Sequence, residues 1–257
     1  MASNYNLDDH TSPHGAHTRR IVERSDGPAT VLAIGFAMGP LIFSAIGSEG
    51  ILPFLIGAAA IMLAFVPIYI ARDESPVLDE KPQKHFLRYV YLVPTATAAV
   101  FVFGAVEAGG LSLFPVYANR SGLNESHAAL LLTVMGIGNM FQIPFGMISD
   151  KLKDRRPMLF MMALAGLAGA LALPFLVEHW WLMAGLLLVW GGCVSGLYTV
   201  GLAHLGSRLT GSDLAAANAA FVFCYAVGTV AGPQAIGAAI DITGNDGFAY
   251  ALAGFFG

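Results

Sequence analysis

Long stretches without a charged residue recur along this chain. Seven such runs cover residues 27–48, 50–71, 89–106, 128–149, 157–177, 179–207 and 214–240. Each has at least 18 residues, which as a helix suffices to cross the roughly 30 Å hydrocarbon core of a bilayer. None shows the alternation of apolar and polar residues that is typical of the strands of a membrane barrel. In lipid, a helix satisfies the hydrogen bonds of its own backbone polar groups. The pattern therefore predicts seven membrane-spanning helices.

The composition also indicates that lipid, rather than water, surrounds these segments. Hydrophobic residues make up 56% of the chain and charged residues 12%, whereas soluble domains have about a quarter charged. The alternative, a large soluble helical protein, is disfavoured because such folds also contain helices with a charged face. Cys193 and Cys224 lie singly in apolar context and predict neither a disulfide framework nor a metal site. We expect the lipid bilayer as a partner and no cofactor, metal or nucleic acid.

Positive charge predicts the orientation. Of the 13 lysines and arginines, twelve lie before the first run or between the second and third, fourth and fifth, and sixth and seventh runs. These are alternate loops, and only Arg120 falls on the other side. The positive-inside rule places the N-terminus and the twelve basic residues in the cytoplasm. The expected location is the inner (plasma) membrane.

One eight-residue pattern, A-[IV]-G-x-x-x-G-P, occurs at residues 33–40 and again at 226–233, 193 positions later. That spacing equals about six spanning helices with their loops, the half-length of transporters built from two parallel six-helix halves. We predict helices five to eleven and the start of twelve, without helices one to four. The expected divisions are a polar cytoplasmic tail (1–28), the last two helices of the N-terminal half (29–71), a cytoplasmic linker (72–88) and a C-terminal half truncated in its last helix (89–257).

The loop after the fourth run resembles the cytoplasmic signature of the major facilitator superfamily, G-x-x-x-D-[RK]-x-G-[RK]-[RK]. The matching residues are Gly146, Asp150, Lys151, Arg155 and Arg156. Lys153 and Asp154 stand where the signature has glycine and a base. Likeness to a bacterial branch of mostly uncharacterised exporters and permeases covers about residues 29–257. The resemblance implies an all-α membrane protein, a partial major-facilitator-type helical bundle.

The charges of this loop have two interpretations. Asp150, at the end of helix eight, can face the positive N-terminus of a neighbouring helix, and the two arginines can pair with acids or lipid phosphate. Such a cluster can latch the two halves in one state and release them in the other. The alternative is a positive-inside anchor with no switching role.

Polar residues within the runs predict where a substrate path lies, since such residues are expensive in lipid. They concentrate on helices eight, ten and eleven, whereas helices six and nine have almost none. The candidates for contact with a substrate are Asn139, Gln142, Ser195, Tyr198, Thr199, Asn218, Tyr225, Thr229 and Gln234. Asn218, Tyr225 and Thr229 fall within about 40° of one another on one helix face. Helices eight, ten and eleven are therefore expected to line a cavity, and six and nine to face lipid.

Glu107 is an acidic residue deep within a span, predicted about 6 Å outward from the middle of helix seven. One hypothesis is a proton-coupling carboxylate that is exposed alternately to the two sides. The other is a structural hydrogen bond to a neighbouring helix. Gly104 and Gly110 flank it and would allow close helix approach or cavity access. In the outer loop, Asn124-Glu125-Ser126 matches a glycosylation sequon, but capping of the following helix is the preferred interpretation.

Three functions compete. The first is a secondary active transporter of a small solute, with proton-coupled export by alternating access. The second is an intramembrane enzyme, which needs a nucleophile with its base or a His/Asp/Glu cluster at membrane depth. Glu107 and the distant His204 do not form one, so no catalytic residue is predicted. The third is a truncated, non-transporting remnant.

Overall fold

The computed structural model describes residue 35 and residues 38–47, 50–70 and 86–257. The predicted polar tail (1–28) and nearly all of the predicted linker (72–88) lie outside these residues. Within the described part, every regular element is a helix. Residues 38–46 form α1. The others are α2 (Leu52–Ile70), α3 (Arg88–Leu92), α4 (Pro94–Arg120), α5 (Glu125–Gly138), α6 (Gln142–Asp150), α7 (Arg156–Leu176), α8 (Trp180–Gly206), α9 (Gly211–Thr243) and α10 (Gly247–Phe256).

Five segments of the described chain are long and apolar enough to cross a membrane, and they correspond to the third to seventh predicted runs. They are α4, the segment Glu125–Asp150 that contains α5 and α6, and α7, α8 and α9. A single 3₁₀ turn, Asn139–Phe141, separates α5 from α6. Half of the first predicted run lies outside the described residues, and the second coincides with α2. The prediction of an all-α membrane protein is confirmed.

The boundaries of α4 differ from those of the predicted run. Pro94 occupies the first turn, where its missing N–H is not needed, and Val93 has a non-helical backbone. The helix then continues through Glu107 to Arg120, so that Glu107 lies at its midpoint rather than about 6 Å from it. The charge-free run ended at Val106 only because Glu107 is acidic.

Helix α8 lies at the centre of the bundle and packs against α4, α5, α6 and α7, while α4 packs mainly against α9. Of the five spanning segments, α8 is the most enclosed. The Trp190 indole N–H donates to the Gly166 carbonyl at 2.8 Å and ties α8 to α7. The outer face of α7 is apolar and exposed, as at Phe160 and Phe175. That exposure agrees with the expected lipid-facing helix nine.

The loops after α6 and α8, which carry basic residues, lie at one end of the bundle, which we call the basic end. The Tyr89 hydroxyl donates to Asp213 at 2.6 Å and joins the start of α3 to the start of α9. Arg156 and Arg208 both lie within electrostatic range of His204. Arg120, the last residue of α4, is at the opposite end, which we call the outer end. Which end faces the cytoplasm stays a prediction.

Asn124 caps α5, as its sequence context indicated. Its extended backbone directs the side-chain Oδ1 toward the His127 N–H, which donates to it at 2.7 Å. Glu125 adds an acidic side chain to the first turn, where the helix dipole favours negative charge. The capping interpretation of this tripeptide is confirmed.

Removing the cap lowers stability by a predictable amount. We expect Asn124→Ala to cost about 1 kcal/mol, because the His127 N–H loses its acceptor. Asn124→Asp is the matched control, since it keeps an acceptor oxygen and should unfold like the wild type. Circular dichroism melts of the detergent-purified chain measure both variants. An alanine variant that melts at the wild-type temperature would contradict the cap.

Candidate functional site

Glycines bring α4 and α9 close together near the middle of both helices. A Cβ added at Gly104 would lie 2.6 Å from the Tyr225 carbonyl oxygen, and one at Gly109 would lie 2.9 Å from the Gly232 carbonyl carbon. On α9, a Cβ at Gly228 or Gly232 would overlap the backbone of Phe101 or Ala105. Small residues permit such close backbone approach between membrane helices. We call this contact the glycine seam.

The seam places Glu107 against Tyr225. The Tyr225 hydroxyl donates to Glu107 Oε2 at 2.8 Å, across 118 residues of sequence. Both side chains are half-buried. A carboxyl group at this depth is expensive unless it is paired or faces a water-filled cavity. The hydrogen bond to a neighbouring helix, one of the two sequence hypotheses, is therefore present, and it joins two of the predicted site residues.

Aromatic rings surround this pair. Phe103 stacks on Tyr225 with ring centroids 5.9 Å apart, and Tyr198 of α8 contacts the same tyrosine edge-on at 6.1 Å. Phe221 packs edge-on against Tyr198 at 5.4 Å. Because aromatic packing of this kind restricts ring rotation, the Tyr225 hydroxyl is held toward Glu107. The structure thus brings Glu107, Tyr198 and Tyr225 into one cluster, which we call the Glu107 cluster.

A second polar contact lies on an adjacent face of α8, about 100° around the helix from Tyr198. The Thr199 hydroxyl donates to Gln142 Oε1 at 3.0 Å and links α8 to α6. The hydroxyl of buried Ser195 lies 2.8 Å from the Gly191 carbonyl of its own helix and 3.4 Å from the Asn139 carbonyl. Four of the predicted residues therefore meet where α8 faces the 3₁₀ turn and α6.

The remaining polar residues of α9 do not join either group. The Thr229 hydroxyl donates to the Ala226 carbonyl at 2.8 Å, a local bond typical of threonine in a helix. Asn218 and Gln234 are exposed. Asn218, Tyr225 and Thr229 share one face of α9, as calculated from the sequence. That calculation does not show which helix, if any, packs against this face. Their role in substrate contact stays a prediction.

The two glycines that flank Glu107 have different surroundings. Gly104 makes a close approach to α9, whereas a Cβ at Gly110 would meet nothing within 4 Å, and Gly109 makes the second close contact. The G-x-x-x-G spacing of Gly228 and Gly232 indicates that α9 packs closely against another helix, but it does not identify the glycine of α4 that meets it. Phe103 and Phe221 carried no signal at all, since apolar aromatics occur throughout the runs.

Residues 29–233 match the family model described as the Major Facilitator Superfamily. The chain belongs to this superfamily. It is therefore a multi-pass membrane protein of a transporter family, in agreement with its spanning helices.

Curated members of the superfamily resemble the chain over most of its length. It is 26% identical over 216 residues to the uncharacterized MFS-type transporter YfkF of Bacillus subtilis, covering 79% of this chain and 54% of YfkF. It is 26% identical over 209 residues to the uncharacterized MFS-type transporter YcaD of Escherichia fergusonii, covering 78% and 52%. The chain spans about half the length of the curated relatives it matches. No solved structure matches it.

The superfamily signature loop takes a compact form here. Asp150 ends α6 and pairs with Arg155 at 3.2 Å, and Asp154 accepts from the Arg156 N–H at 3.1 Å. Asp154 therefore contacts the first turn of α7. That Asp150 faces the N-terminus of a neighbouring helix stays a prediction. No non-glycine residue in the described part of the chain has a positive φ. Lys153 thus replaces the signature glycine without strain. The latch hypothesis for this loop stays a prediction.

Proposed function

We propose that this chain works as a secondary active transporter of a small solute, with protons as the coupling ion and Glu107 as their carrier. The supporting observation is a carboxyl group at the midpoint of a membrane-crossing helix, hydrogen-bonded across the glycine seam to Tyr225. In membrane proteins such groups mark ion and substrate pathways, because their burial is costly and serves no packing need.

The hydrogen bond gives the carboxyl group two distinguishable states. With Tyr225 donating, the charged carboxylate keeps one strong partner. When α4 and α9 shift relative to each other, that partner is withdrawn and hydrocarbon favours the neutral acid. A motion that changes the seam therefore loads or unloads a proton. This is the coupling that alternating access requires.

The solute path in this proposal runs along α8. Tyr198 faces the Glu107 cluster, and its neighbour Thr199 faces Gln142 on α6. Tyr198 and Thr199 lie about 100° apart around α8, so a solute beside the edge between these two faces would contact hydrogen-bonding side chains of both. Ser195 and Asn139 would lie beside it. Asn218, Thr229 and Gln234 on α9 complete the proposed contacts along the path.

The proposed setting is the inner membrane, with the N-terminus and the basic end in the cytoplasm. Export is the proposed direction of solute movement.

Proteoliposomes test the proposal directly. The purified chain is reconstituted with a pH-sensitive dye in the lumen, and a panel of organic cations, organic anions, sugars and amino acids is added outside. We expect at least one class to change the luminal pH in a protein-dependent manner. Liposomes with no such change for any class would contradict transport by this chain and favour the non-transporting alternative.

A further inference from the structure

A cavity of about 650 Å³ lies at the outer end, between α1, the last turns of α4 and the start of α5. This volume falls within the roughly 300–1,000 Å³ of small-molecule sites. Its wall is largely apolar and includes Pro40, Phe43, Val116 and Leu132. The Ser126 hydroxyl donates to the Ser44 carbonyl at 3.3 Å, which ties α1 to α5.

The cavity is separate from the Glu107 cluster. Three of the four α4 residues that line it, Val116, Asn119 and Arg120, lie about 120–180° around α4 from Glu107, and all four lie about 12–20 Å farther along the helix. Residues on opposite sides of one helix line different spaces. The cavity therefore opens away from the glycine seam. Phe43 and Val116 are 38% and 40% exposed, so a molecule dissolved in the surrounding lipid can reach it.

One positively charged side chain, that of Arg120, lines this apolar cavity. Arg120 makes no ion pair within the described residues, and it is the single lysine or arginine outside the predicted cytoplasmic segments. Glu125 also lines the cavity but is already engaged in an interaction of its own. A guanidinium group with no carboxylate partner offers up to five N–H donors to an anion.

We propose that this cavity binds a single-chain amphiphile with one anionic head group. The apolar wall takes the hydrocarbon tail, which packs there by van der Waals contact as it does in the surrounding lipid. The head group pairs with Arg120 at the outer end, where the helix meets the membrane surface. Asn119 supplies a second hydrogen-bonding group beside it. This site requires neither proton coupling nor transport.

Native mass spectrometry of the detergent-purified chain tests the site, with palmitate as the probe. We expect one palmitate to bind, and Arg120→Gln to weaken its affinity about tenfold, the lower end for a hydrogen bond to a charged group. Arg208→Gln, at the basic end, is the matched control and should bind like the wild type. Val116→Phe narrows the cavity from its exposed side and should also weaken binding.

Two further ligands identify what the site recognises. Hexadecanol has the same chain length without the charge, and equal binding of hexadecanol and palmitate would overturn the assignment of the head group. Phosphatidylglycerol has two acyl chains and should fail to displace palmitate, whereas displacement would overturn the assignment of a single-chain ligand. Palmitate binding that is unchanged in Arg120→Gln would overturn the site. None of these results depends on whether the chain transports.

Discussion

Replacing Glu107 by glutamine should abolish solute-dependent proton movement in proteoliposomes while leaving the bundle intact. Glutamine has nearly the same shape, and its carbonyl oxygen can still accept from the Tyr225 hydroxyl, 2.8 Å from the carboxylate in the wild type. It cannot bind and release a proton between pH 5 and 9. Proton flux, followed by the luminal dye, should therefore fall to the level of empty liposomes.

Two controls separate coupling from structure in that experiment. Tyr225→Phe keeps the carboxyl group and removes its partner, so it should slow proton movement without abolishing it. The thermal unfolding of Glu107→Gln should match that of the wild type. A glutamine variant with undiminished proton-coupled flux would remove Glu107 from the mechanism and leave the hydrogen bond as a structural link between α4 and α9.

A single methyl group at Gly232 should destabilise the protein strongly. The added Cβ would overlap the backbone of Ala105, which cannot move aside as a flexible side chain can. Separating two backbones to admit it is overpacking of a tight contact, which typically costs about 1–3 kcal/mol. Gly232→Ala should accordingly lower the unfolding temperature in detergent.

Gly237 offers a matched control on the same helix. A Cβ there would meet nothing within 4 Å, and alanine is intrinsically favoured over glycine in a helix by up to about 1 kcal/mol. Gly237→Ala should therefore leave stability unchanged or raise it, opposite in sign to Gly232→Ala. Equal effects of the two substitutions would show that the seam is not tightly packed.

The polar side chains show how far sequence reasoning extended toward the site. It selected Glu107 and Tyr225 separately, each because a polar group within a span is unusual. It could not pair them, since the 118 residues between them include most of the bundle. Gln142 and Thr199 are a similar case, two candidates whose contact depends on how α6 packs against α8. Asn218 and Gln234 satisfied the same criterion and yet are exposed.

The order of the spans was decided by the sequence alone, because a helix in lipid must satisfy its backbone hydrogen bonds within itself and its length is set by the bilayer. The Asn124 cap was decided locally as well, since the donor is three residues away. The partners of Glu107, the choice of Gly109 over Gly110 and the cavity beside Arg120 were decided by the tertiary structure. Each depends on the depth and rotation at which two distant helices meet, and in a uniformly apolar sequence that is determined by the fit of side chains rather than by any local pattern.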